Sequence, residues 1–298
     1  MTTVDRLECP WTPRRNDHVR EEGLRRSARS LAARAWCPDG GAERALNTCT
    51  DLARWCFPDL DTGSLALVVA WFEDLSCAED LRDEPGATAT EPALSNRWVD
   101  AISERCGIGW REKIEALFVE HASSVQWEQT WRERRQPPPL NEYLWHRPRA
   151  TGVYLCLSLG PAMQRLAPSS PEWRDLRLQT ALVAAANHIC WSNDLVGADR
   201  ERGEGNFFSL PAVLQHHGAL SRREAVDETI RRCNDAARTV HRCVAALEVS
   251  TTRTSTWVGG APWLGEILAG HLAWCRGSAR YAHRADESGV LLPQVAVA

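Results

Sequence analysis

Apolar residues recur at three- and four-residue intervals along most of this chain, and almost nowhere do β-branched residues alternate with polar ones at a period of two. The first spacing lines one face of an α-helix and the second one face of a strand, so the pattern predicts an all-α protein. Helices are expected near 17–36, 42–57, 62–81, 94–106, 109–135, 141–166, 172–199, 221–247 and 262–283. Pro85-Gly86 ends the third, and further breaks fall at Pro137-Pro138-Pro139, Pro168 to Pro171 and Gly203 to Gly205. Proline removes a backbone donor and glycine leaves the helical well easily, so both punctuate helices. Ser221 and Glu224 have the three-residue spacing of a capping box, in which each side chain accepts the other residue's free backbone N–H. None of the breaks is long or polar enough to be an interdomain linker. The pattern therefore predicts one domain over residues 1–298, with the first ~15 and last ~12 residues flexible, although 290–297 is an apolar run.

Composition narrows the class. The chain of 298 residues is 44% hydrophobic and 25% charged, with only 16 prolines and 19 glycines, which suits a packed core rather than a fibrous or disordered chain. A formal charge of −4 gives no overall attraction to nucleic acid or anionic membrane; the Arg14-Arg15 and Arg132 to Arg135 stretches read as solvated helix faces. The eleven cysteines are scattered and form no Cys-x-x-Cys pair, as expected of reduced core thiols. No segment approaches the roughly 20 apolar residues that cross a bilayer. Without a signal-like N-terminus, a cytoplasmic location is expected.

Two acidic segments carry candidate chemistry. Glu79-Asp80-Leu81-Arg82-Asp83-Glu84 closes the third helix, and position 83 lies one turn beyond 79 and 80, so carboxylates gather on one side. Carboxylates this close repel unless solvent or a cation intervenes, and their hard oxygens suit Mg²⁺ better than a soft metal. The alternative is a solvated helix end. Asn193, Gly197 and Glu201 fall at i, i+4 and i+8 of a second helix, directly after the nearly all-apolar run 181–190. An amide oxygen and a carboxylate thus emerge on one face of a buried helix. His216-His217 lack His-x-x-x-His spacing and read as surface residues rather than zinc ligands, and no histidine stands where the sequence would pair it with a thiol.

Together these segments resemble the bacterial-type class I terpene cyclase (terpene synthase) family, whose first motif is Asp-Asp-x-x-Asp and whose second is Asn-Asp-x-x-Ser-x-x-x-Glu. The resemblance extends over Pro58-Asp59-Leu60-Asp61 with Leu65, Leu67 and Trp71, over Trp127-Glu128, over Pro138-Pro139-Leu140-Asn141-Glu142-Tyr143-Leu144, and over Trp274 with Arg280-Tyr281. It implies a helical bundle around a central active-site cavity and a cluster of three Mg²⁺ held by Glu79, Asp80, Asp83, Asn193, Gly197 and Glu201. It also implies a diphosphate sensor at Arg147, with Arg149 as the neighbouring alternative, and further diphosphate contacts from Arg200, Arg280 and Tyr281. Glu79 stands where the family has Asp, and Gly197 where it has a hydroxyl, which a water over the glycine would replace. The Glu73-Asp74 pair is the weaker register, since Cys77 occupies the place of its third acid. Of 14 tryptophans, Trp71, Trp191 and Trp274, together with Phe72, lie on helices that would line the site. Aromatic faces stabilise a nearby cation by about 0.5–2 kcal/mol each.

The implied activity is ionisation of a prenyl diphosphate, farnesyl diphosphate first and geranyl, methylated geranyl or geranylgeranyl diphosphate as alternatives, by a monomer or homodimer. A helical homologue that binds diphosphate without turning it over is the competing reading.

Overall fold

A computed structural model describes residues 3–31, 41–82, 92–106, 109–163, 167–203, 208–250, 261–277, 284–285 and 291–292. Within those, the side chains at 29–31, 41–47, 77–82, 92–98, 161, 163, 198–203, 250, 284–285 and 291–292 fall outside the description. Eleven α-helices follow one 3-10 turn at Val4–Arg6: α1 Glu21–Leu31, α2 Gly41–Cys56, α3 Thr62–Arg82, α4 Pro92–Cys106, α5 Gly109–Arg134, α6 Leu140–Ala150, α7 Val153–Met163, α8 Leu176–Gly203, α9 Leu210–Gly218, α10 Arg222–Ser250 and α11 Pro262–Gly277. The only strands among the described residues, β1 Arg284–Ala285 and β2 Leu291–Leu292, form a two-residue antiparallel ladder whose second strand falls in the expected C-terminal tail. The all-α reading holds for the body of the chain.

Helix α8 runs through the middle, packed chiefly on α10 and also against α6, α7, α9 and α11. Its buried residues include Ala181, Ala184, Ala185 and Ala186, and α10 answers with Ala225, Cys233, Ala236, Ala237 and Val240. Small side chains on both sides let the two backbones approach closely. Helix α3 is buried continuously from Ser64 to Asp74, so it has no solvent face, the mark of a helix inside the core. Its start is fixed by Asp61, whose Oδ1 accepts the N–H groups of Gly63 at 2.8 Å and Ser64 at 3.0 Å, while Oδ2 accepts the Ser64 hydroxyl at 2.7 Å. Those bonds to Ser64, with Arg105 nearby, bring the Asp61 carboxyl down to about 2. A capping carboxylate of this kind stabilises a helix by about 1 kcal/mol. The capping box at Ser221 is present too: its N–H donates to Glu224 at 2.8 Å, and the Glu224 N–H returns the bond at 3.3 Å.

Three differences from the sequence reading have physical causes. The single helix expected over 141–166 is two, because the Thr151 N–H closes α6 on the Arg147 carbonyl, the Gly152 N–H bonds the Arg149 carbonyl, and Gly152 turns left-handed at φ +66°. Pro148, lacking an N–H, has already weakened that last turn. Helix α9 was not anticipated; it is a short element that buries Leu210, Val213 and Leu214 and ends in the exposed His216 and His217, the latter donating to the Pro138 carbonyl at 2.9 Å. The N-terminus, expected to be flexible, is anchored along residues 3–16, with Leu7 and Asn16 buried and Asn16 donating to the carbonyls of Phe57 and Leu60. Side-chain-to-backbone bonds of this kind leave no periodic trace.

Helix α11 crosses α2 at close range. A Cβ built on Gly270 would lie 2.0 Å from the Trp55 carbonyl oxygen, a backbone atom that cannot swing aside. Gly270→Ala is expected to lower stability by about 1–3 kcal/mol, the usual range for overpacking a core; an unchanged urea midpoint would show that the helices separate freely.

Candidate active site

Helices α6 and α8 build the best-defined cluster. Arg147 projects from the last turn of α6, and its Nε and Nη2 donate to one oxygen of Asp194, Oδ1, at 3.0 and 2.8 Å. The other oxygen, Oδ2, accepts the Tyr143 hydroxyl and, at 3.0 Å, the N–H of Leu210 at the start of α9. Asp194 and Tyr143 are fully buried. Burial opposes charge on the guanidinium, but the Asp194 carboxylate outweighs it, and Arg147 is held protonated well above its ordinary range. Burial and the same carboxylate raise the Tyr143 phenol, which stays a neutral donor. One carboxylate therefore joins three helices around one arginine.

The arginine is engaged on one edge only. An arginine presents five N–H donors, and among the described residues Nη1 has no hydrogen-bond partner, while the Arg147 side chain keeps 11% of its surface exposed. The adjacent Arg149 points elsewhere: it lies over the Trp145 ring at 3.6 Å and pairs with Glu120 at 3.1 Å. Of the two candidates, Arg147 is the one turned toward α8. Around it, Trp127 donates to Glu142 at 3.0 Å and stacks on His146 at 4.3 Å, bracing the lower part of α6 against α5.

Asp194, the centre of this cluster, is the residue that sequence reasoning missed. Its signal was available: it follows Asn193 directly and lies on the same α8 face as Cys190 and Ala186, one and two turns earlier, both buried. A carboxylate on such a face requires a partner.

Other expected site residues are placed unevenly. Asn193, half-buried, and Gly197, buried, lie on α8 four residues apart, and the backbone carries Arg200 and Glu201 in the next turn. Glu79 and Asp80 lie in the last turns of α3, with side chains outside the description, as are those of Arg200 and Glu201. Asp83, Arg280 and Tyr281 lie outside the described residues altogether. Glu73 and Asp74 are buried farther inside α3. Trp71, Phe72, Trp191 and Trp274 are all buried; Trp71 meets Phe118 edge-on at 5.3 Å, and Phe72 lies 6.4 Å from Phe57.

Contrary to the sequence expectation, a histidine does meet a thiol. Helical spacing on α11 sets His271 Nε2 3.7 Å from Cys275 Sγ. Burial pushes the thiol up to about 12 and the imidazole down to about 4, so both stay neutral, the opposite of a thiolate–imidazolium nucleophile. The arginine stretches are likewise matched: Arg14 pairs with Asp59 and Glu266, Arg15 with Asp17 and Asp51, and Arg132 with Glu128. Among the described residues, nine cysteines are thiols rather than disulfides, and no helix is long and apolar enough to cross a membrane.

The all-helical bundle has the class I terpene synthase fold. Residues 64–239 match the terpene synthase family 2 C-terminal metal-binding domain, and the chain belongs to that family. It is similar to germacrene A synthase of Nostoc punctiforme, at 25% identity over 94% of this chain and 90% of that one. The 4-epi-cubebol synthase of Streptosporangium roseum, named as cyclising (2E,6E)-farnesyl diphosphate, is 30% identical over 37% of this chain and 34% of that one. Germacradien-4-ol synthase from Streptomyces citricolor has the same fold, with TM-score 0.73 at 18% identity over 92% of this chain and 99% of that one. Family membership implies a divalent metal and a prenyl diphosphate substrate.

Proposed function

We propose that this protein ionises farnesyl diphosphate with Mg²⁺ and lets the resulting cation cyclise to a sesquiterpene. The observation that carries this reading is Arg147: a buried guanidinium locked on one edge by Asp194, with Nη1 open, one residue along α8 from Asn193. Such an edge suits phosphate oxygens, for which a fixed planar donor is worth more than a mobile ammonium.

The donor set fits a hard cation. Asn193, Gly197 and Glu201 share one face of α8, and Glu79 and Asp80 end α3 with Asp83 just beyond; oxygen ligands and a water over Gly197 suit Mg²⁺. Three bound Mg²⁺ would neutralise charge building on the departing diphosphate. Arg147 grips a phosphate oxygen through the edge that Asp194 leaves free, and Arg200, Arg280 and Tyr281 complete the diphosphate contacts. The allylic C–O bond breaks, its electron pair leaves with diphosphate, and no protein nucleophile is needed. Trp71, Phe72 and Trp274 present aromatic faces to the cation, which ends by losing a proton or taking up water. The farnesyl chain is supported by the relative whose name states that substrate.

The test incubates purified protein with geranyl, farnesyl and geranylgeranyl diphosphates, with Mg²⁺ or excess chelator, and analyses organic extracts by gas chromatography and mass spectrometry. A sesquiterpene only from farnesyl diphosphate with metal is expected; turnover in chelator would end the metal mechanism. In the same assay Gly197→Ser is expected to lower the Mg²⁺ concentration for half-maximal rate, and Gly197→Leu to abolish turnover by displacing the water. Identical Mg²⁺ curves for wild type and both variants would remove Gly197 from the metal face.

A further inference from the structure

The N-terminal residues form a strap anchored chiefly on α10, α11 and the connection between α2 and α3. The Glu8 N–H donates to Asn234 Oδ1 at 2.9 Å, and the same amide's Nδ2 returns a bond to the Arg6 carbonyl at 3.2 Å, so α10 holds the strap as a neighbouring strand would. Glu8 also pairs with Arg238. On α11, Arg276 Nη2 donates to the Leu7 carbonyl at 3.3 Å and the Val4 carbonyl at 3.5 Å, and Arg14 pairs with Glu266. Between these points the Trp11 indole lies against Gly265, where a Cβ would come within 2.4 Å of it. Asn16 closes the strap onto the end of α2 through the carbonyls of Phe57 and Leu60.

The far side of α11 leads to the metal helix. His271 faces Ser192 at 3.5 Å, and Ser192 is held by its own back-bond to the His188 carbonyl at 2.7 Å. Since the hydroxyl hydrogen is used there, the histidine donates from Nδ1. Ser192 immediately precedes Asn193. Helix α11 is therefore seated between the strap on one side, α2 at Gly270, and α8 at Ser192.

We propose that the strap is a positioning element for the metal site, with Trp11 as its wedge: it sets the height of α11 on α8 and, through His271 and Ser192, the placement of Asn193. This rests on the reading of Asn193 as a metal ligand. A rigid chain of packed groups with one tight contact at each step can carry a displacement of a few tenths of an ångström, which Mg²⁺ with its strict octahedral geometry registers strongly.

The test measures the Mg²⁺ dependence of turnover and the melting temperature for Trp11→Ala, Trp11→Phe and Arg238→Ala, all at a temperature where circular dichroism shows them folded. Trp11→Ala is expected to raise the Mg²⁺ concentration for half-maximal rate by about fivefold or more, and Trp11→Phe to recover most of that. Arg238→Ala removes a strap ion pair without touching α11 and is expected to lower the melting temperature while leaving the Mg²⁺ dependence unchanged. The Trp11→Ala effect should also shrink in a Ser192→Ala background, since groups in one contact chain are non-additive. Should Trp11→Ala melt earlier yet keep the wild-type Mg²⁺ curve, or the two substitutions multiply independently, the strap is only a structural brace. A wild type with no turnover and no protection by Mg²⁺ plus inorganic diphosphate would instead overturn the proposed function itself.

Discussion

Asp194→Ala is expected to cost more than any other single change at the site, about 3–5 kcal/mol of stability, because it leaves Arg147 charged and buried without its partner. The Tyr143 hydroxyl and the Leu210 N–H lose their acceptor at the same stroke, and each buried donor left unpaired adds to the loss. Arg147→Lys separates the two roles of the pair. An ammonium can still face Asp194, so the melting temperature should fall only modestly. It cannot offer one edge to the carboxylate and another to a phosphate, so turnover should drop by about two orders of magnitude or more, the scale of a lost preorganised donor at a developing anion. Steady-state kinetics and urea unfolding on both variants give the comparison. Near-wild-type turnover in Arg147→Lys would mean that the open Nη1 edge meets no diphosphate.

Acid should unfold this protein well before ordinary carboxylate titration is complete. His188 and His271 are buried on α8 and α11, and burial, reinforced for His188 by His271, depresses them to about 3 and about 4. Both His188 ring nitrogens are buried without a hydrogen-bond partner. In the unfolded chain each imidazole takes its proton near pH 6.5. The folded state thus binds fewer protons, and stability that is complete above pH 6.5 falls steadily as pH drops toward 4. Because the unfolded imidazoles are already half protonated at pH 6.5, the two histidines together remove about 3 kcal/mol between pH 6.5 and 5. His188→Leu, similar in size and unable to titrate, should keep stability at pH 7.5 and halve the slope. Equal unfolding midpoints at pH 7.5 and 5 for the wild type would show that acid reaches neither histidine.

The helical class, most helix ends and the family are legible along the chain alone. Period, proline, glycine and capping residues act locally, so Asp61 and Ser221 start α3 and α10 where their neighbours dictate. The spacing of Asn193, Gly197 and Glu201 on one helix face was legible for the same reason. Tertiary structure alone decided the rest. It paired Arg147 with Asp194 and Arg149 with Glu120, and the first pairing joins residues 47 apart that no local rule connects. It broke the 141–166 helix at Gly152, where a Cβ would press on Leu75 of α3. It turned an N-terminus with no periodic signal into an anchored strap, because carbonyls and buried amides distant in sequence recognise backbone rather than pattern. Contacts of this kind depend on which surfaces the completed bundle brings together, and so become visible only once it has formed.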